Sequence, residues 1–337
     1  MVSIQEVAQR AGVSLGTVSN TLNRPEIVSP KTRARVHAAI AELGFVANQQ
    51  ARQLGGAGSR VIGLVVLDAS NPFFTEAARG VEAAAREAEH VVILCNSDDS
   101  TVQEEHHLRL LAGHRVRGVL LTPARGTRRA HQILTAHGIP LVYLDRKGGP
   151  GECSVSVDDV TGGDLALDHL AGLGHRMIAF VSGPPSIRQH ADRLKGARQA
   201  LQRHGLSPAD ALTVSHNEGM NIKAGAAAIE RLLDEGARPT AVFCANDMLA
   251  FGVYRGLTRR GIRVPEDIAL VGYDDIEFAA DWIVPLTSVR QPTYELGYRA
   301  GQLLLAHSAR EPEHRHKQIV FQPELIVRQS SGGAPPP

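Results

Sequence analysis

Apolar positions in the first 45 residues recur at helical spacing. Beyond residue 60 the pattern changes to short apolar runs separated by Ala/Leu-rich stretches. Ile4, Val7, Ala8 and Ala11 predict a first helix, with Ser3 and Glu6 placed to form a capping box. Gly12 suits a positive φ in the break that follows, and Ser14 suits the cap of a second helix whose Val18 and Leu22 face inward. Asn23-Arg24-Pro25 ends that helix. Ser29-Pro30 opens a third, with Val36, Ala39, Ile40 and Leu43 as its buried stripe and Gly44 as its stop. Residues 46–59 read as a linker containing one short helix-capable stretch, Asn48 to Leu54, followed by the flexible Gly55, Gly56 and Gly58.

The later runs are VIGLVVLD (61–68), VVILCNSD (91–98), GVLLTP (118–123), PLVYLD (140–145), SVSVDD (154–159), MIAFVSG (177–183), AVFCAND (241–247) and IALVGYDD (268–275). Near-continuous apolar runs separated by helices predict parallel strands buried on both faces, arranged as two α/β lobes. Most runs end in a polar residue: Asp68, Asp98, Thr122, Asp145, Ser182, Asp247 or Asp274. Open α/β sheets bind ligands beyond the carboxyl ends of their strands, so two facing lobes would line one cleft with these side chains. The plainer alternative is that each marks a strand end and caps the next helix. The closing SSGGAPPP reads as a disordered tail.

Composition narrows the function classes. No apolar run reaches the roughly 18 residues that span a bilayer, and MVSIQEVAQRAGVS lacks the basic start and apolar core of a secretory signal. Cys95, Cys153 and Cys244 form no CxxC pair, so neither a disulfide framework nor a zinc site is expected, and a cytoplasmic location follows as the default. His106-His107 and His314-Arg315-His316 invite a metal reading, but adjacent helical histidines point apart, so exposed surface is expected and no metal. Gly55-Gly56-Ala57-Gly58 precedes the first strand rather than following it, and no nucleophile elbow or Walker-type loop is present. A nucleotide-dependent enzyme is therefore the weaker alternative, and no cofactor is expected. A periplasmic-type sugar-binding protein without regulation is the other alternative.

Charge is uneven. Residues 1–60 hold seven basic and three acidic side chains, a net +4, whereas the whole chain is +1, which leaves −3 for the remainder. A small basic segment on an acidic body suits polyanion binding; a solvated charged surface is the alternative. Two short helices around a tight Gly12 turn form a helix-turn-helix pattern, whose second helix enters the major groove. Thr17 and Ser19 suit phosphates, and Asn20 suits adenine through paired hydrogen bonds.

Residues 3–54 resemble the headpiece and hinge of the LacI–GalR family of bacterial repressors, through EVAQRAGVS, TVSNTLN, VSPKTRARV, AIAELGF and ARQL. The resemblance continues through NPFF (71–74), YLDR (143–146), VDDVTGG (157–163), HLAGLGHRMIAFVSGP (169–184), DRLKG (192–196), FCANDMLAFG (243–252), VPEDIALVGYDD (264–275) and PLTSVRQP (285–292). It implies an all-α helix-turn-helix headpiece (1–47), a hinge helix and linker (48–59), and a two-lobed periplasmic-binding-protein-like α/β core with parallel sheets (60–330). Lobe 1 would take about 60–160 and 290–320, lobe 2 about 161–289 and 321–330, leaving 331–337 as the tail.

By matched position, the resemblance puts Leu15, Gly16 and Asn20 at base edges and Thr17, Thr32 and Phe45 at the DNA backbone. Asn48 to Leu54 would fold as a hinge helix on the operator, with Leu54 wedged into the minor groove; a core leucine in a short helix is the alternative. Ser14, Ser19 and Ala51 complete the DNA-facing set. Two departures matter: Leu15 and Gly16 stand at often-polar positions and make no side-chain hydrogen bond, and Ala47 replaces a frequent proline. The resemblance further implies an effector, a sugar or a nucleoside, contacted by Phe73, Phe74, Asp145, Arg146, Arg193, Met220, Asn246, Asp274 and Trp282. The alternatives are a lobe-bridging salt pair for Arg193 and Asp274, helix-start packing for Phe73 or Phe74, and a subunit contact for Trp282. The expected partners are double-stranded operator DNA, the effector and a second copy in a homodimer, with a tetramer as the larger assembly and no membrane.

Overall fold

The computed structural model describes residues 2–45, 59–126, 128–308 and 315–332, and these divide into two units, before and after the step from Arg60 to Val61. The expected hinge helix, with Ala47, Ala51 and Leu54, lies outside the described residues, as do His314 and residues 333–337.

The first unit is three helices, α1 (Ile4–Ala11), α2 (Leu15–Asn23) and α3 (Pro30–Leu43). Both arms of the capping box at α1 form: Ser3 Oγ accepts from the Glu6 amide, and Glu6 accepts from the Ser3 amide at 2.7 Å. Gly12 ends α1 at φ +62°, and Ser14 caps α2 by accepting from the Thr17 amide at 3.1 Å. Val7, Ala8, Ala11, Val18, Val36 and Ala39 form the core, with Leu22, Ile40, Leu43 and Phe45 packed around it.

The second unit contains two six-stranded sheets. The first runs β11-β5-β4-β3-β1-β2, all parallel, from β1 (Val61–Val66), β2 (Val91–Asn96), β3 (Gly118–Leu121), β4 (Leu141–Leu144), β5 (Cys153–Val157) and β11 (Gln318–Phe321). The second runs β12-β10-β9-β8-β6-β7, from β6 (Ile178–Ser182), β7 (Leu212–His216), β8 (Ala241–Cys244), β9 (Ala269–Asp274), β10 (Thr287–Arg290) and β12 (Glu324–Ile326). There only the β10–β12 pair is antiparallel. Helices α4 (Pro72–Glu87), α5 (Thr101–Gly113), α6 (Arg128–Thr135) and α11 (Thr293–Ser308) belong to the first lobe. Helices α7 (Asp159–Gly172), α8 (Arg188–Arg203), α9 (Ile222–Asp234) and α10 (Asp247–Arg259) belong to the second. The chain crosses between lobes at Asp158, at 291–292 and at 322–323.

All eight apolar runs are strands, but burial on both faces does not extend to β2. As the edge strand it leaves Val91 59%, Ile93 45% and Leu94 43% exposed. The short β7, β10, β11 and β12 do not stand out in the apolar pattern. The expected disorder does not begin at 331 either: Ser331 is buried, and its hydroxyl bonds with Thr287 Oγ1 at 2.7 Å and with His169 Nε2 at 2.8 Å. These partners lie more than 40 residues away in the chain, so a polar tail sequence carries no sign of them.

Candidate functional site

On the headpiece, α2 presents Leu15, Gly16 and Asn20 to solvent. The N-cap serines hold two other members of the set: Ser14 Oγ lies 2.9 Å from Thr17 Oγ1, and Ser29 Oγ donates to Thr32 Oγ1 at 2.9 Å. Ser19 is half-buried and accepts from Asn23. Phe45 packs against the headpiece core.

In the second unit the carboxyl ends of the two sheets face a common cavity of about 50 Å³. That space equals one or two waters, and the lobes are drawn together around it. Gln189 on α8 donates to the Asp145 carbonyl at 2.5 Å and to its Oδ2 at 3.1 Å. Across the other side, Asn71 and Gln291 hydrogen-bond the Asp274 carboxylate.

Asp145 and Asp274 reach the cavity by the same backbone device. Asp145 directly follows β4 and Asp274 closes β9, each with a positive φ, +56° and +104°, which turns the chain off the sheet at its carboxyl edge. Asparagine and aspartate tolerate this region better than other non-glycine residues. Asn246 follows β8, caps α10 through the Leu249 amide at 2.8 Å and donates to the Met220 carbonyl at 3.0 Å. Phe73 and Phe74, at the start of α4, meet edge to face at 5.1 Å; both line the cavity and both belong to the core.

Arg193 is delivered by helix packing. A Cβ on Gly196 would lie 1.8 Å from the Val160 carbonyl oxygen, and one on Gly163 would lie 1.9 Å from the Arg193 carbonyl oxygen. Only glycine at both positions lets α7 and α8 approach this closely. Arg193 Nε then donates to Asp159 Oδ1 at 2.8 Å, and another guanidinium nitrogen donates to the Ala245 carbonyl. Asp159 also accepts from the Tyr273 hydroxyl at 3.0 Å. The salt pair therefore joins Arg193 to Asp159, and Asp274, which closes β9, stands in the same lobe as Arg193, so no Arg193–Asp274 pair bridges the lobes.

Burial governs the protonation states. It pushes the Asp145 carboxyl up to about 8, reinforced by the Asp159 charge and opposed by Arg193. It also pushes Asp274 to about 6, against Arg193 and Gln291. It drives His190, whose Nδ1 lies 3.1 Å from the Pro184 carbonyl, down to about 3, helped by the Arg193 charge. Burial opposes the Arg193 charge as well, but Asp159 and the other nearby acidic groups outweigh it and keep the guanidinium protonated.

Two residues of the expected effector set fall elsewhere. Trp282 stacks on Phe251 at 4.1 Å and meets Tyr254 edge-on, away from the cavity lining. Arg146 turns from its neighbour Asp145 and lies over the Tyr143 ring at 4.9 Å, lining a different cavity. Conversely Asn71, Asp99, Gln189 and His190 line the cavity beside Asp145 and Asp274 but do not stand out in the sequence. Of the strand-end polar residues, Asp68, Asp145 and Asp274 line it, whereas Asp247 is turned inward to Ser288 and the Ile276 amide. Among the described residues no three His, Cys, Asp or Glu side chains converge as metal ligands, and no helix is long and apolar enough to cross a membrane.

A model of bacterial regulatory proteins of the lacI family matches residues 3–48, and one of a periplasmic binding protein-like domain matches 167–331. The ribose operon repressor of Escherichia coli (strain K12) is 35% identical over 333 residues, covering 98% of this chain and 100% of the relative. The chain belongs to the lacI family. Among solved lacI-family structures, the lac repressor dimer bound to operator and an anti-inducer superposes with a TM-score of 0.84 at 30% identity, covering 98% of this chain and 99% of that one. A lacI-family regulator from Enterococcus faecium with bound ribose superposes at 0.73 with 33% identity, covering 80% of this chain and 98% of that one. These named lacI-family relatives are regulators of transcription, not enzymes.

Proposed function

We propose that this lacI-family protein is a transcriptional repressor whose hold on its operator is set by a monosaccharide, most simply a pentose, bound between the core lobes. The observation that carries the ligand reading is a pair of orphaned acceptors. Asp99 Oδ1 and Asp145 Oδ1 are sealed from solvent without a hydrogen-bond partner, and both residues line the one cavity. Vicinal hydroxyls would satisfy them, with Arg193 and Asn246 as donors and the Phe73–Phe74 pair against the apolar face of the sugar. The ribose-bound relative favours a monosaccharide over a nucleoside, and at about 50 Å³ the cavity admits either only once the lobes part. Asp145, protonated near neutral pH, offers such a ligand both a donor and an acceptor. The switch works as a population shift: the sugar binds one lobe arrangement better than the other and biases the headpieces through it.

Leu15, Gly16 and Asn20 would meet base edges, with Asn20 as the one side chain of the three able to read them by hydrogen bonding. The exposed Val91, Ile93 and Leu94 edge supports a homodimer, and the lac repressor relative is a dimer on its operator. A cytoplasmic site of action goes with that role. Titration calorimetry with D-ribose, other pentoses, hexoses and nucleosides tests the reading. One pentose should bind with 1:1 stoichiometry and shift operator affinity, and Asp274→Ala should abolish both effects. Tight binding of a nucleoside with silence from every sugar would overturn it.

A further inference from the structure

A second cavity, of about 220 Å³, lies between the lobes beside the first, and Gln189 borders both. Its walls carry four cations: Arg146 and Lys147 from the loop after β4, and Arg188 and Lys195 from α8. Three carboxylates also line it, but each is engaged. Asp159 holds Arg193 at 2.8 Å, Asp158 caps α7 through the Thr161 amide at 3.1 Å, and Asp192 faces Arg188 at 3.4 Å. Lys147 and Lys195 have no carboxylate partner among the described residues.

Two further observations point to an absent acceptor. Arg146 Nη1 is sealed from solvent and has no hydrogen-bond partner. Leaving a charged donor unsatisfied is costly, and an anionic oxygen would relieve that cost. Helix α8 also begins here without a side-chain cap at Ile187, and its first two residues, Arg188 and Gln189, line the cavity. The uncapped amides and the helix dipole add positive potential at the same place.

We propose that this cavity is a second ligand site, specific for a phosphoryl group and distinct from the sugar cleft. The anion would bridge cations contributed by both lobes. Without it those cations repel one another across the interface; with it they are joined, so an occupied site favours the closed arrangement. The phosphoryl group belongs either to inorganic phosphate or to a phosphorylated sugar. This inference does not depend on the identity of the neutral effector.

Titration calorimetry of the full-length protein at low ionic strength tests it, with inorganic phosphate and ribose 5-phosphate in separate arms and sodium chloride as the ionic blank. Saturable 1:1 binding of at least one is expected. Lys147→Gln/Lys195→Gln, both exposed positions, should weaken it at least tenfold, Arg146→Gln should remove it, and Asp274→Ala should leave it intact. Tenfold tighter binding of ribose 5-phosphate assigns the site to a phosphosugar, and equal affinities assign it to free phosphate. Only heats of dilution in both arms, or binding indifferent to the lysine pair, would overturn the proposal. So would loss on Asp274→Ala, which would place the anion in the sugar cleft. Should Arg146→Gln fail to fold, the lysine variant still decides the question.

Discussion

Arg193 lies face-on over Tyr273, its guanidinium carbon 3.6 Å from the ring centroid. The same ring carries the hydroxyl that donates to Asp159, and Asp159 accepts from Arg193. The three side chains close on themselves, so the arginine is oriented before any ligand arrives. Pre-organisation of this kind reduces the ordering cost of binding.

Breaking that triad from one side should be far worse than replacing it. Asp159→Ala leaves a buried, unpaired guanidinium, and a loss of about 3–5 kcal/mol is expected in urea unfolding. The double replacement Asp159→Leu/Arg193→Met should recover most of that stability yet bind no effector. A double variant as unstable as the single one would show that the loss does not come from the stranded guanidinium.

Core stability should depend on pH in two opposing ways. Asp145 rises from 3.8 to about 8 on folding, so its contribution is complete below about pH 4 and is lost as pH climbs toward 8. His190 falls from 6.5 to about 3, so its contribution is complete above pH 6.5 and is lost as pH falls toward 3. Asp145→Asn should reduce the alkaline loss, leaving the share carried by Asp99, Glu104 and Asp274, and His190→Gln should reduce the acid loss, leaving the share of His169 and His175. Urea midpoints at pH 4.5, 6 and 8 would separate the two. Unchanged slopes in both variants would refute the assignment.

Gly196→Ala should weaken effector binding although its side chain touches no ligand. The added methyl would meet the Val160 carbonyl, pushing α8 from α7 and carrying Arg193 with it. Overpacking of this kind costs about 1–3 kcal/mol. Ligand affinity should fall along with the urea midpoint; a fall in midpoint alone would mean that Arg193 keeps its place.

The edge strand offers a test of assembly. Ile93→Asp puts a charge in the middle of the exposed β2 face. Sedimentation should then show a monomer with weakened operator affinity and unchanged effector binding. A dimer that persists would place the subunit contact elsewhere.

In the headpiece, Asn20 and Ser14 separate recognition from folding. Asn20 is exposed, so Asn20→Ala should lower operator affinity by about 1–3 kcal/mol with an unchanged thermal midpoint. Ser14→Ala removes the α2 cap and should cost about 1 kcal/mol of stability. A stability loss in Asn20→Ala would assign that side chain to packing instead.

Local patterns along the chain determined the headpiece almost completely. The capping box at Ser3 and Glu6, the Gly12 turn and the serine caps of α2 and α3 depend on neighbours three or four residues away, which the sequence displays directly. The eight apolar runs likewise marked the central strands. Strands of three to five residues with mixed polarity, such as ELI at β12, offered no such signal and are strands only because a sheet edge lies beside them. The buried tail serines were invisible for the same reason.

The cleft divides along the same line. Motifs ending strands, at Asp145, Asn246 and Asp274, named part of the site, because a strand's carboxyl end is a place the sequence marks. The tertiary structure alone decided that Arg193 pairs with Asp159, 34 residues earlier. It also decided that Gln189 and Asn71 bridge the lobes, that Trp282 packs against α10, and that neighbouring Asp145 and Arg146 serve different cavities. Each of these rests on the direction a side chain takes across an interface, and that direction is set by packing between segments distant in the chain.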